Sequence, residues 1–236
     1  MFTKHTETNQ ATAVVESQGS SRATVSRVTL VLALLAIVGI ADFLLNLTAL
    51  HFLRPDVNPV LEPISNYAVG PYGFLHTAAD IGGGLAALAL TFGLYLGIAP
   101  PGRSYVGLVL LGLNGISVLL AGIFPIDVGA ETTTVGAIHN IVGNIGFFGF
   151  PIAVIPLSLG MRKDERWRSV RRPALALSIV VVLTVILTMV GFNIGIGFGV
   201  TQRLFNVAAT LWMLVVALHL RSVARGALAM QPSRVR

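Results

Sequence analysis

The chain has no cysteine, which excludes disulfides, thiolate metal sites and a cysteine nucleophile. Charge is nearly as scarce. Asp, Glu, Lys and Arg make up 11% of the 236 residues, against about 25% in an ordinary soluble domain. So few charges cannot cover a surface that faces mostly water. No cleavable leader is expected either. The first 27 residues are polar and rich in Ser and Thr, and no small-residue cleavage site follows the first apolar stretch, which is expected to stay as an anchor. No internal repeat stands out, which removes one argument for a transporter built from inverted halves.

What is present is apolar. Hydrophobic residues reach 54% and the mean hydropathy is +0.81. Six stretches approach or exceed the roughly 20 apolar residues that a bilayer core requires: Val28–Leu50, Phe74–Ile98, Tyr105–Phe124, Val135–Leu159, Ala174–Ile196 and Leu204–Leu220. The expected fold is all-α, a polytopic bundle of six transmembrane helices over residues 28–222. A disordered tail at 1–27 and a short tail at 223–236 flank it. No room is left for a separate soluble domain.

Orientation follows from the basic residues. An even number of spans puts both termini on one side. Of the 16 Lys and Arg residues, all but Arg54 and Arg203 fall on that same side, so both termini are expected to be cytoplasmic in a cell (plasma) membrane. The formal charge of +6 then gives no reason to expect nucleic acid. The loop 162–172 carries Arg162, Lys163, Arg166, Arg168, Arg171 and Arg172 around Trp167. It reads as a topology determinant with an interfacial tryptophan, and alternatively as an attractor of anionic lipids.

The outside loop His51–Tyr72 holds Pro55, Pro59, Pro63 and Pro71, which block regular helix. Its Tyr67 and Tyr72 suit the headgroup layer. Thr133 or Thr134 can cap the fourth helix. The short link Gly197–Gln202 makes helices five and six antiparallel neighbours. Glycines recur through the spans, as expected where helices approach closely in lipid. Around Gly195–Gly199 a hinge or unwound section is the functional alternative.

The informative anomaly is polar. Asp42, His76, Asp80 and His139 interrupt apolar helices, and an ionisable group in hydrocarbon costs several kcal/mol unless paired or wetted. At ~1.5 Å rise per residue, His139 lies ~6 Å, Asp80 ~9 Å and Asp42 ~12 Å below the outer helix ends. Asp127 and Arg203 sit at the rim of the same layer. Asn46, Asn140, Asn144, Asn193 and Asn206 share that half, whereas the cytoplasmic half is apolar apart from Asn114. Polarity on one side only points to an outward-facing pocket rather than to a proton or ion path through the whole membrane.

Three readings follow. In the first, the pocket binds a small solute or lipid headgroup, or supports a partner protein of unknown identity. Asp80, Asp127 and Arg203 set its charge, and His76 and His139 supply pH-sensitive hydrogen bonds. In the second, a metal-dependent hydrolase acts at the outer leaflet. His76 and Asp80, one turn apart, join His139 around a divalent ion such as zinc, with Asp127 as general base. No His-Glu-x-x-His motif supports it, and Ser65 as a nucleophile lacks an evident base. In the third, Asp42, Asp80 and Asp127 share Arg203 and the asparagines in a purely structural network.

Four segments carry a resemblance. Ile64-Ser65-Asn66-Tyr67-Ala68, Gly122-Ile123-Phe124-Pro125-Ile126-Asp127, the following His139, and Thr201-Gln202-Arg203 resemble the bacterial and archaeal membrane family catalogued as domain of unknown function 998. The likeness spans roughly residues 28–221. It implies a six-helix membrane protein without an established activity, and it matches Ser65, Asp127, His139 and Arg203 to the family pattern. Membrane hydrolases of the alkaline-ceramidase and adiponectin-receptor type are also similar in outline. They carry a His-x-x-x-His pair on the last helix, where this chain has only His219.

Overall fold

The computed structural model describes residues 3–129, 131–195 and 197–230, with side chains from residue 21 onward except 192 and 193. Six α-helices follow one another: α1 Thr3–Leu53, α2 Gly73–Gly97, α3 Tyr105–Ile123, α4 Thr134–Gly160, α5 Arg171–Asn193 and α6 Phe198–Ala229. The described residues contain no strand. All six helices are long and apolar enough to cross a membrane, α1 through its part Ser21–Leu53. The chain is a six-helix membrane protein.

Four of the apolar runs match their helices to within about three residues. Two helices outrun theirs. Helical backbone in α1 begins well ahead of Val28, inside the stretch read above as a disordered tail. Once an apolar run has nucleated a helix, adding residues costs little, and neither Pro nor Gly stands between Thr3 and Gln18 to stop it. At the other end α6 runs past Leu220 to Ala229, and residues 231–236 lie outside the described part.

Each helix packs on its sequence neighbours, and α1 closes on α6 to complete a ring. Close approach comes from small residues, as expected in lipid. At Gly84 of α2 and Gly115 of α3, a Cβ on either glycine would lie 2.8–2.9 Å from the carbonyl oxygen of the other. Polar side chains tie the second half together. Ser158 of α4 and Ser178 of α5 share a hydrogen bond of 2.8 Å, and Trp212 of α6 donates its indole N–H to Ser158 at 3.0 Å.

The two ends of the bundle differ. One carries the loop 54–72, the α3–α4 connection and the α5–α6 turn. Arg54, 6% exposed, organises that loop. It donates to the Asp56 carboxylate at 2.8 Å, and through Nη1 to the carbonyls of Val69 at 2.8 Å and Pro71 at 3.0 Å. The Asp56 bond raises Arg54 above its ordinary range against the opposing effect of burial, and Arg54 holds Asp56 below the usual carboxylate range. The prolines do exclude α-helix here, leaving only a 3-10 turn at Ile64–Ala68. Within it Tyr67 is buried, not at the headgroup layer, while Tyr72 is exposed.

The opposite end carries the basic loop. There Asp164 accepts hydrogen bonds from the Ala99 N–H at 2.8 Å and from Arg166 Nη2 at 2.7 Å. Trp167 corrects the interfacial reading. It is fully buried, stacks 4.8 Å from the His219 ring, and donates to Gly97 O at 3.4 Å. Trp167 therefore packs the loop onto the bundle, while Arg162, Lys163, Arg168 and Arg172 stay exposed.

Candidate functional site

The long-loop end holds a cavity of about 170 Å³ enclosed by every helix except α5, with the turn at Ile64 and Ser65 over it. Holding one water takes roughly 10–15 Å³ by this measure, so many waters or one small organic group fit. His76 and Asp80 face it from α2, His139 from α4 and Ser65 from the turn. Thus four of the seven residues singled out in the sequence meet in one space. The lower walls are apolar, with Phe147, Phe150, Phe205 and Met213. A second cavity, of about 270 Å³, adjoins it nearer the helix ends, where Pro63, Ile126 and Phe198 bound it. Ser65, His139, Gly143, Phe147 and Gln202 line both.

Carbonyls at the C-terminal end of α3 fix His139. Its Nδ1 lies 2.8 Å from the carbonyl oxygen of Phe124 and 3.3 Å from that of Ala121. Carbonyls only accept, so Nδ1 carries the proton, and in the neutral ring Nε2 is left as an acceptor. His76 is different. Its Nδ1 lies 3.4 Å from Asp80 Oδ2, yet it is the buried side-chain atom left without any hydrogen bond among the described residues. Asp80 is itself only 8% exposed. Its Cβ packs against Gly122 of α3, where an added Cβ would come within 2.8 Å. Among the described residues, no Lys or Arg lines either cavity.

Three of the seven residues lie elsewhere, each with a local task. Asp127 closes the α3–α4 connection. Its carboxylate accepts the Thr133 N–H at 2.7 Å and the Thr133 hydroxyl at 2.8 Å, while Thr133 Oγ1 caps α4 by accepting Gly136 N–H at 3.1 Å. Thr133 is thus the capping residue. Asp42 sits between α1 and α2 against Gly82 and accepts from Asn46 Nδ2 at 2.9 Å. Arg203 pairs with none of the acids. It donates to His51 Nε2 at 2.9 Å, to the carbonyls of Glu62 at 2.9 Å and Gly199 at 3.0 Å, and to the Tyr67 hydroxyl at 3.4 Å. The shared acid–arginine network expected above is therefore absent among the described residues.

The metal constellation is likewise not assembled. Among the described residues no three of His, Asp and Glu converge to hold an ion, and Asp127 lines neither cavity. The proposed general base is committed to a helix cap. His76, Asp80 and His139 share a space without forming a ligand set.

From α6 the expected Asn206 is joined by Gln202 and Thr210, which were not among the candidates. Gln202, Asn206 and Thr210 all line the first cavity. Gln202 Oε1 accepts the Ile64 N–H at 2.8 Å, which docks the turn on α6. Their spacing of four residues puts them on one helical face, a signal present in the sequence. Asn114 and Ser117 add a polar edge from α3, and Asn114 Nδ2 donates to Gly146 O at 3.1 Å. Of the other asparagines, Asn140 and Asn144 line the second cavity, and the side chain of Asn193 lies outside the described part. Of the Gly195–Gly199 segment, Gly195 lies in a turn after α5 and Phe198 and Gly199 begin α6, while the hinge reading falls partly on residue 196, outside the described residues. Gly197 and Gly199 lie there against the carbonyls of Val60 and Glu62.

A family model described as "Protein of unknown function (DUF998)" matches residues 37–219. The match covers most of the chain and all six helices, and the chain belongs to that family. No curated protein and no solved structure matches it.

Proposed function

We propose that this member of the DUF998 family binds a small solute or a lipid headgroup in the paired cavities, from the extracytoplasmic side of the cell membrane. One observation carries the reading: Ser65, His76, Asp80, His139 and Gln202, from four elements, line one space with an apolar floor. Pockets of that make-up, apolar walls with a few convergent polar groups, are typical of small-molecule sites. The orientation rests on the basic residues, all but Arg54 and Arg203 of which belong to the termini and to the loops at the opposite end. At that opposite end Arg162, Lys163, Arg168 and Arg172 are exposed. Anionic headgroups would meet them there, at about 1 kcal/mol per basic residue near the surface.

Gly143 offers a direct test. It lines both cavities, and a Cβ added to it meets nothing within 4 Å, so Gly143→Leu should fill the neck without displacing a helix. Native mass spectrometry of the purified protein should then find a bound small molecule or lipid on the unmodified chain and none on Gly143→Leu. Identical spectra for the two would end the binding reading.

A further inference from the structure

We infer that the deep cavity takes an organic ammonium group, with Asp80 as its counter-ion and the phenylalanine walls around it. The inference rests on the binding reading above and names the class of ligand.

Among the described residues, Asp80 is the only acid lining the cavity, and no Lys or Arg lines it. A buried carboxylate is costly to ionise unless a cation pairs with it. The polypeptide supplies only His76, whose Nδ1 lies 3.4 Å from Asp80 Oδ2 without hydrogen-bond alignment and has no other partner. Both residues are buried, His76 2% and Asp80 8% exposed. So the site holds an acceptor lacking its cation and a ring nitrogen lacking its bond. A ligand cation would complete both: it favours ionised Asp80, which then offers a full acceptor to His76 Nδ1–H.

The walls select the kind of cation. A strongly hydrated metal ion needs several oxygen ligands, and no cluster of three acidic or imidazole groups exists among the described residues. An alkylated ammonium asks less. Its methyl groups pack on apolar surface, and its charge is attracted by aromatic faces. Phe43, Phe147, Phe150 and Phe205 line this cavity, with Phe147 and Phe205 rings 4.6 Å apart. An anionic ligand would meet the opposite: a carboxylate and no guanidinium or ammonium.

The same chemistry occurs in a free amine and in a choline or ethanolamine headgroup. The full chain, purified in maltoside, is titrated with choline and with 3,3-dimethylbutan-1-ol, which has the same shape without the charge. Choline should bind on the order of tenfold tighter than the alcohol, and Asp80→Asn should erase that difference. The comparison of the two probes on the unmodified chain needs no variant, so it stands even if Asp80→Asn fails to fold. Equal affinity for both probes, or no binding of choline, overturns the ammonium assignment. The binding reading survives that result if native mass spectrometry still separates the unmodified chain from Gly143→Leu. For the source, choline binding is repeated in nanodiscs. Competition in phosphatidylcholine discs but not in phosphatidylglycerol discs identifies a headgroup, and equal binding in both identifies a free amine; each supports the assignment.

Discussion

Arg203 of α6 donates its Nε–H to Nε2 of His51 at the end of α1, at 2.9 Å. His51 Nδ1 lies 2.7 Å from Leu47 O, so the ring is held as the neutral tautomer with its proton on Nδ1. The same guanidinium holds Glu62 O and the Tyr67 hydroxyl. One side chain thus clamps α1, α6 and the 54–72 loop at the point where α1 and α6 close the ring. The loop in turn places Ser65 over the cavities.

Arg203→Ala should therefore loosen the loop. Hydrogen bonds to a charged group contribute about 1.5–3 kcal/mol each when well made, and this guanidinium is partly exposed, so a net loss of about 2 kcal/mol is expected. Limited proteolysis should cut between residues 54 and 63 faster in the variant, with a lower melting temperature in detergent. Unchanged cleavage would show that Gln202 and the Val200 N–H···Val60 O bond, at 3.1 Å, hold the loop alone.

Asp127 tests the separation of structure from site. As a cap partner rather than a base, Asp127→Asn should cost about 1 kcal/mol of stability and leave the bound molecule seen by native mass spectrometry in place. Gly136→Ala should be worse, because an added Cβ there strikes the Asp127 carboxylate. Loss of the ligand in a well-folded Asp127→Asn protein would return that residue to the site.

These two residues show what the sequence could and could not tell. The spans were legible because apolar length is a local property. The polar layer was legible in depth, since residues can be counted along a helix. Rotation about each helix was not. Asp42, one helix away from Asp80 and at similar depth, turns to Asn46 instead. Arg203 looked like a partner for acids, but two of its four partners are backbone carbonyls, which no residue type marks, and the others are His51 and Tyr67. Arg54 was overlooked for the same reason, as its contacts with Val69 O and Pro71 O are set by the fold of the loop.

The glycines should divide by what faces them. Gly115→Ala would press on Gly84 O and on Leu88, each 2.9 Å from the new Cβ, and should cost about 1–3 kcal/mol as α2 and α3 separate. Gly143→Ala meets nothing within 4 Å and should hold or slightly raise stability, by at most about 1 kcal/mol from helix propensity. Melting temperatures of the two variants in the same detergent check this directly. Equal losses would mean that the space beside Gly143 is closed in the protein.

Asp164 makes the basic end sensitive to acid. Burial pushes its carboxyl up, but Arg166 and the N–H groups of Ala99 and Arg166 outweigh that and hold it below its ordinary range. A carboxyl depressed on folding stabilises above the unfolded value of about 4 and loses that contribution as pH falls through the folded value. The unmodified chain should therefore out-melt Asp164→Asn at pH 7, and the gap should narrow steadily below about pH 4. A gap independent of pH would mean that the carboxylate charge is not what Arg166 and the loop respond to.

Orientation decides which compartment supplies the ligand. Val128 is 55% exposed on the α3–α4 connection, at the end that bears the cavities. Ser169 is exposed in the basic loop at the other end. Because the chain has no cysteine, Val128→Cys and Ser169→Cys each introduce one unique thiol. In intact cells a membrane-impermeant maleimide should label Val128→Cys, and should label Ser169→Cys only after permeabilisation. The basic loop sets this expectation, since translocating its arginines against the positive-inside bias is disfavoured. The opposite pattern would leave the cavity geometry intact but open it to the cytoplasm. A soluble cytosolic ammonium compound would then replace an outer-leaflet headgroup as the ligand source to pursue.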